Sequence, residues 1–301
     1  MLQISHLGKT YANGVRALHD INLTIGTGMF GLLGPNGAGK SSLMRTIATL
    51  QDADSGTIRF DGVDIAADPG FLRARLGYLP QDFGVYPKIA AVDLLEHMAV
   101  LKGITSSARR REQVDALLHL TNLHAHRQRA VSSFSGGMRQ RFGIAQALLG
   151  EPRLIVVDEP TAGLDPQERH RFHDLLSEIG ENVVIVLSTH IVDDVLDLCP
   201  DMAILAAGTV QRQGAPADLV ARLDGRVWER FIARAELPAC QDRFDVISSR
   251  LLAGRLRIRV LADACPGPGF APAAPSLEDV YFSVLNEVSR AGGTEPATVQ
   301  S

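Results

Sequence analysis

The chain has 301 residues, 46% hydrophobic and 21% charged, with a net charge of −4. This is an ordinary mix for one large folded domain or a core domain with a small appendage, and it excludes a global basic field that would draw the chain onto nucleic acid or anionic lipid. Three cysteines, Cys199, Cys240 and Cys265, lack metal-like spacing and suit a reducing compartment.

The opening "MLQISHLGKTYANG" has no basic stretch followed by an apolar run, so no secretory signal is expected. No run approaches the roughly 20 apolar residues of a membrane span. "LQISHLGKTY", "VRALHDINLTI" and "GTIRFDG" alternate and carry turn residues, which predicts an antiparallel flank. Met29 to Leu33, Leu154 to Val157 and Val183 to Leu187 are short apolar runs followed by helical patterns, which predicts a parallel α/β sheet. From about 88 to 150, "AVDLLEHMAVLKGI" and "ARRREQVDALLHLTNL" have the spacing of helices packed as an inserted lobe. From about 215 to 265 arginines outnumber acids, and "RLRIRV" alternates as a strand whose charged face is expected in solvent. "CPGPGFAPAAP" is expected as a linker, and Ser276 with Asp279 three residues on is a capping-box-like helix start. The end, 291–301, is expected to be a disordered tail. The domains expected are therefore 1–215, a smaller α+β extension over 216–290, and that tail.

The residues with chemistry fall at strand ends. "GPNGAGKSS" comprises Gly34, Pro35, Asn36, Gly37, Ala38, Gly39, Lys40, Ser41 and Ser42. It lies between a strand and a helix, the context a phosphate-binding loop requires. Its glycines let backbone N–H groups surround phosphates, Lys40 reaches the terminal ones, and the Ser41 hydroxyl is placed to ligate Mg²⁺. "LIVVDEP" ends a strand in Asp158, placed to hold Mg²⁺, and Glu159, placed to orient or activate a water. Gln81 and His190 also follow strands, as candidate sensors of the γ-phosphate. "FSGGMRQR" puts Ser135, Gly136 and Gly137 at a helix start, where an anion site is readily built. Asp165-Pro166 also reads as a helix start. His124 with His126, and His170 with His173, have no third ligand near them in sequence and carry no metal reading.

In their order, "GPNGAGKSS", "LPQ", "FSGGMRQR", "LIVVDEP", "GLDP" and "STH" make the chain resemble the nucleotide-binding subunit of an ATP-binding cassette (ABC) transporter over residues 1 to about 215. The resemblance implies a P-loop NTPase core with a mainly parallel sheet, an antiparallel flank and an inserted helical lobe. It implies that Tyr11 stacks on adenine, that Gln81 contacts Mg²⁺ and the attacking water, and that His190 contacts the γ-phosphate. Asp165 would communicate across a dimer interface. Ser135 to Gly137 would grip the ATP of a second subunit, most simply in a homodimer. A separate multi-span permease would be docked near 82–95, with the chain peripheral on the cytoplasmic face of the inner membrane and no nucleic-acid partner. The signature departs from Leu-Ser-Gly-Gly-Gln at Phe134 and Met138. "SGGMRQR" and "PSLEDVYFSVL" resemble the group serving ABC-2 type exporters. The rival readings are a non-transport ABC ATPase and a nucleotide-dependent regulatory switch.

Overall fold

The computed structural model describes residues 1–81, 84, 88–161, 164–179, 182–252 and 254–291. Of the expected tail at 291–301, Ala291 ends a helix instead, and 292–301 lie outside the described residues, as do 82, 83 and 85–87 of the expected docking segment 82–95. The chain divides into two units, Met1–Val210 and Gln211–Ser301.

The first unit opens with β1 (Leu2–Thr10), β2 (Arg16–Ile25), β3 (Gly28–Leu33), α1 (Lys40–Ile47), β4 (Ser55–Phe60) and β5 (Val63–Asp64). The alternating strands pair as expected, antiparallel, in the order β2-β1-β4-β5. Their apolar alternates, among them Leu2, Ile4, Leu23, Ile25, Ile58 and Phe60, point into one core. Next come α2 (Pro69–Arg73), β6 (Leu76–Leu79), α3 (Ala91–Leu101), α4 (Ser107–Leu120), α5 (Gly136–Ala147) and β7 (Leu154–Asp158). The unit closes with α6 (Pro166–Ile179), β8 (Val184–Thr189), α7 (Val192–Leu198), β9 (Asp201–Ala206) and β10 (Thr209–Gly214), the strand on which the chain passes into the second unit.

The main sheet runs β10-β9-β3-β8-β7-β6, and β9, β3, β8, β7 and β6 are mutually parallel. Strands β7 and β8 are buried along their whole length, which is why both read as unbroken apolar runs. Register puts Leu33 opposite Thr189, and Asp158 opposite Ser188, so strand ends distant in sequence reach one edge together. Helices α3, α4 and α5 share a separate apolar core that includes Leu94, Leu95, Leu118, Phe134 and Phe142.

The second unit holds α8 (Pro216–Ala221), β11 (Val227–Ile232), α9 (Leu237–Arg243), β12 (Asp245–Leu252), β13 (Arg255–Leu261), β14 (Ala271–Pro272) and α10 (Leu277–Ala291). Its antiparallel sheet runs β12-β13-β11-β14. One face, with Ile232, Ile258 and Val260, packs on Cys240 of α9 and on Phe270. Two expectations are corrected here. The stretch expected as a linker contributes β14, whose Ala271 and Pro272 pair with β11. The arginine face of β13 is only partly solvated. Arg259 is 14% exposed and forms an ion pair at 3.2 Å with Asp279 of α10, itself 2% exposed. Arg257 faces Glu229 at 3.7 Å, while Arg255 stays exposed. The alternation was read correctly, but the start of α10 sets Asp279 against Arg259, so that guanidinium is met by a carboxylate. The capping box that starts this helix is present: Asp279 N–H donates to Ser276 Oγ (3.3 Å) and Ser276 N–H to Asp279 Oδ2 (2.8 Å).

Candidate active site

The glycine loop leaves β3 at the C-terminal edge of the sheet. Gly37 and Gly39 have φ of 80° and 105°, a left-handed backbone that side chains disfavour. A Cβ on Gly39 would lie 2.4 Å from the Ala17 carbonyl oxygen, so space as well as torsion demands glycine there. Helix α1 starts at Lys40 with no side-chain cap on its first N–H groups and no acid in its first turn. That opening fits an anion such as a triphosphate.

Glu159 is where the separated motifs meet. Its carboxylate is 9% exposed, with Oε1 3.2 Å from Nζ of Lys40, which is 4% exposed. Oε2 lies 3.3 Å from Nδ1 of His190 and accepts from Nε2 of Gln81 at 3.5 Å. Lys40 also donates to the carbonyls of Gly34 (2.8 Å) and Pro35 (3.1 Å), which fixes it under the loop. Glu159 itself has φ 47° without being glycine, a strained conformation that surrounding contacts must hold. One such contact is Glu159 N–H to Ser188 O at 3.0 Å, which bridges β7 to β8. Gly34 N–H donates to Thr189 O at 3.2 Å and bridges β8 to the loop.

Asp158, 3% exposed, accepts a hydrogen bond from the Ser188 hydroxyl. Burial pushes the neighbouring Tyr78 phenol above its ordinary pKa and the Asp158 charge adds to this, with Arg45 opposing. A buried carboxylate at this edge, where β7 meets α1 and its Ser41, is a hard oxygen donor of the kind Mg²⁺ takes. Ser41 and Asp158 therefore fit Mg²⁺, with Gln81 at the same carboxylate cluster.

Tyr11 follows β1, and its hydroxyl lies 2.9 Å from Ser42 Oγ and donates to Gln51 Oε1 at 3.1 Å. Ser135 is the N-cap of α5, its hydroxyl accepting from Met138 N–H at 3.2 Å, and both Ser135 and Gly136 are exposed. Gly137 is buried against the Glu168 side chain, where a Cβ would come within 2.4 Å of a carboxylate oxygen. Asp165 does cap α6, accepting from Glu168 N–H at 2.9 Å. Lys40, Glu159, His190 and Gln81 thus converge, whereas Ser135 and Gly136 present themselves to solvent.

The signature's two departures have a packing explanation. Phe134, 4% exposed, meets Phe142 edge-on at 6.3 Å, and Met138 packs against the same lobe core. Ser188 was not singled out from sequence, nor was Gln140, whose Nε2 donates to Pro160 O at 2.5 Å. Both lie inside quoted motifs, Ser188 in "STH" and Gln140 in "FSGGMRQR", but neither is given a role there. His124 does acquire further neighbours in space, Asp115 and His119. The two imidazoles lie stacked at 3.8 Å, and Arg127 already supplies a cation to both Asp115 and His124. His173 is buried against Asp194.

The family profile described as ABC transporter matches residues 18–162. The chain is 37% identical over 212 residues to the probable multidrug ABC transporter ATP-binding protein YbhF of Escherichia coli K12, covering 70% of this chain. It spans only 36% of that relative's own length. It is 33% identical over 267 residues to the daunorubicin/doxorubicin resistance ATP-binding protein DrrA of Streptomyces peucetius, covering 88% of this chain and 78% of DrrA. Among solved structures, a dimeric post-hydrolysis state of the ATP-binding cassette MJ0796 bound to ADP and Pi superposes with a TM-score of 0.66 at 27% identity, covering 71% of this chain and 98% of that one. With the glycine loop, the carboxylate cluster and the parallel sheet arranged as above, the chain belongs to the ABC transporter family, as an ATP-binding subunit with the fold of an ABC ATPase cassette.

Proposed function

We propose that the protein hydrolyses ATP to drive a membrane transporter whose permease is a separate chain, and that it works as a dimer in the direction of export. The observation that carries the hydrolytic reading is the convergence of Lys40, His190 and Gln81 on the Glu159 carboxylate beside an uncapped helix N-terminus. Residues 1–215 form the nucleotide-binding domain and 216–290 an accessory one, the whole peripheral to the membrane on its cytoplasmic face. No helix among the described residues is long and apolar enough to cross a membrane.

The N–H groups from Gly37 to Ser42 and the Lys40 ammonium bind the phosphates, and Tyr11 lies against the adenine. Ser41, Asp158 and Gln81 would hold Mg²⁺, which when bound would supply charge to neutralise the phosphate oxygens. Glu159 accepts a proton from the attacking water, which Gln81 helps to orient. His190 holds the γ-phosphate end. The exposed Ser135 and Gly136, with Gly137 and Asp165, serve the ATP of the partner subunit. The resistance function in the name of DrrA supports export.

Replacing Glu159 by Gln tests the chemistry: removal of a general base lowers kcat by roughly a hundredfold or more, with ATP binding retained. Turnover at the wild-type rate would refute it. Co-purification with a multi-span membrane protein, followed by vesicle transport assays, tests coupling and direction. Uptake instead of extrusion would overturn the export assignment alone.

A further inference from the structure

Asp194, on α7, has no exposed surface. A bare carboxylate in that position is costly unless donors satisfy it, and four do. Oδ2 accepts from the hydroxyls of Thr161 (2.6 Å) and Thr189 (2.9 Å). Oδ1 accepts from Arg169 Nε (2.8 Å) and lies 3.0 Å from His173 Nε2. Burial alone would raise its pKa, but the bonds from His173, Thr161 and Thr189 and the charge of Arg169 hold it below the usual carboxylate range.

The origin of these donors in the chain is informative. Thr161 stands two residues beyond Glu159, and Thr189 immediately before His190. Arg169 and His173 lie one and two turns into α6, the helix that Asp165 caps. The Thr189 hydroxyl also accepts from Ile191 N–H at 2.9 Å, so the backbone is tethered on both sides of His190. The Thr161 carbonyl accepts from Leu164 N–H at 3.1 Å, so Thr161 is bonded directly to the residue before Asp165. Glu159, held at φ 47°, needs such an external restraint. Stability alone is a poor reason for a buried ionic cluster, since well-packed apolar side chains commonly do as well. Its distinctive capacity is to fix several segments in one geometry.

We propose that Asp194 is a positioning residue for ATP hydrolysis, a buried clamp that holds the segments carrying Glu159 and His190 in register with each other and with the helix that begins at Asp165. Asp194, with no exposed surface, acts through the two threonines. This inference rests on the roles proposed above for Glu159 and His190.

The test uses the full chain and the variants Thr161→Val and Thr189→Val, each of which removes one hydroxyl while preserving side-chain shape. Asp194→Ala strips four contacts at once and endangers the fold, so the threonine variants and Asp194→Asn carry the experiment. Steady-state ATPase kinetics, thermal melting and equilibrium binding of a fluorescent ATP analogue are measured on each. Each threonine variant should lose about tenfold in kcat, about 1.4 kcal/mol in activation free energy, with KM and analogue affinity unchanged within about twofold. Combining either with Asp194→Asn should add little to the loss from Asp194→Asn alone, since the residues act as one unit. A kcat within about twofold of wild type in folded threonine variants overturns the proposal, as does a loss confined to KM. Glu159→Gln, run in parallel, separates the two levels. If it is inactive while the threonine variants are normal, only the clamp fails; if it turns over normally, the reading of Glu159 fails.

Discussion

Phe134 provides a sharp test of how the helical lobe holds the signature segment. The side chain is 4% exposed, meets Phe142 edge-on at 6.3 Å with planes 75° apart, and immediately precedes the Ser135 cap. Truncating such a phenylalanine to alanine costs about 3–5 kcal/mol, combining lost burial with a residual cavity. Phe134→Leu, which restores the residue usual in the family signature, keeps most of the burial. It forfeits the aromatic pair, about 0.5–1.5 kcal/mol, and leaves a small void, for a total of roughly 1–2 kcal/mol. The first unit runs from Met1 to Val210. For a unit of that size 1 kcal/mol moves the melting temperature by about 2–4 °C. Phe134→Leu should therefore lower it by about 2–8 °C and Phe134→Ala by about 6–20 °C. Differential scanning calorimetry reads the shift directly. ATP turnover should fall more in Phe134→Ala than in Phe134→Leu, because the cap of α5 loses its support. A Phe134→Ala protein melting within about 2 °C of wild type would refute the packing argument.

Three further outcomes follow from the same reasoning. Gly39→Ala forces a side chain into φ 105° and against the Ala17 carbonyl; titration calorimetry should find ATP affinity at least about tenfold weaker, and unchanged affinity would count against the glycine requirement. In native protein at pH 8, iodoacetamide should modify Cys265 rapidly and spare Cys199, whose burial pushes its thiol up to about 12; mass spectrometry of rapidly quenched samples decides this. Arg259→Ala leaves the buried Asp279 without its cation and should destabilise the second unit by about 3–5 kcal/mol in urea unfolding; a loss below about 1 kcal/mol would count against the pairing.

The parts of this architecture legible in sequence are those with local causes. Glycines at Gly34, Gly37 and Gly39 after an apolar run announce the loop because torsion and crowding act within a few residues. Ser276 and Asp279 announce a helix start for the same reason, and the alternation in β1 and β2 reports a one-sided sheet. What stayed hidden depends on partners remote in sequence. The alternation of β13 could reveal a charged face but not the α10 carboxylate that meets Arg259. Phe134 and Met138 looked like unexplained departures until the lobe core surrounded them. Asp194 carries no motif, and its significance exists only where β7, β8, α6 and α7 come together. Strand limits were read to within a residue or two, because hydrogen-bond ladders outlast apolar runs: β8 continues to Thr189, beyond the apolar Leu187.

The contact between Lys40 and Glu159 also bears on descent. At 3.2 Å, with neither side chain more than 9% exposed, each charge neutralises the other. A change at one position alone leaves an uncompensated ion in a poorly solvated site, a penalty the fold incurs whatever becomes of catalysis. Lineages that abandon hydrolysis are therefore expected to lose the two charges together, or to replace one with a substitute of the same sign. A lone neutral residue at either place would mark an intermediate exposed to selection on two counts, folding and turnover.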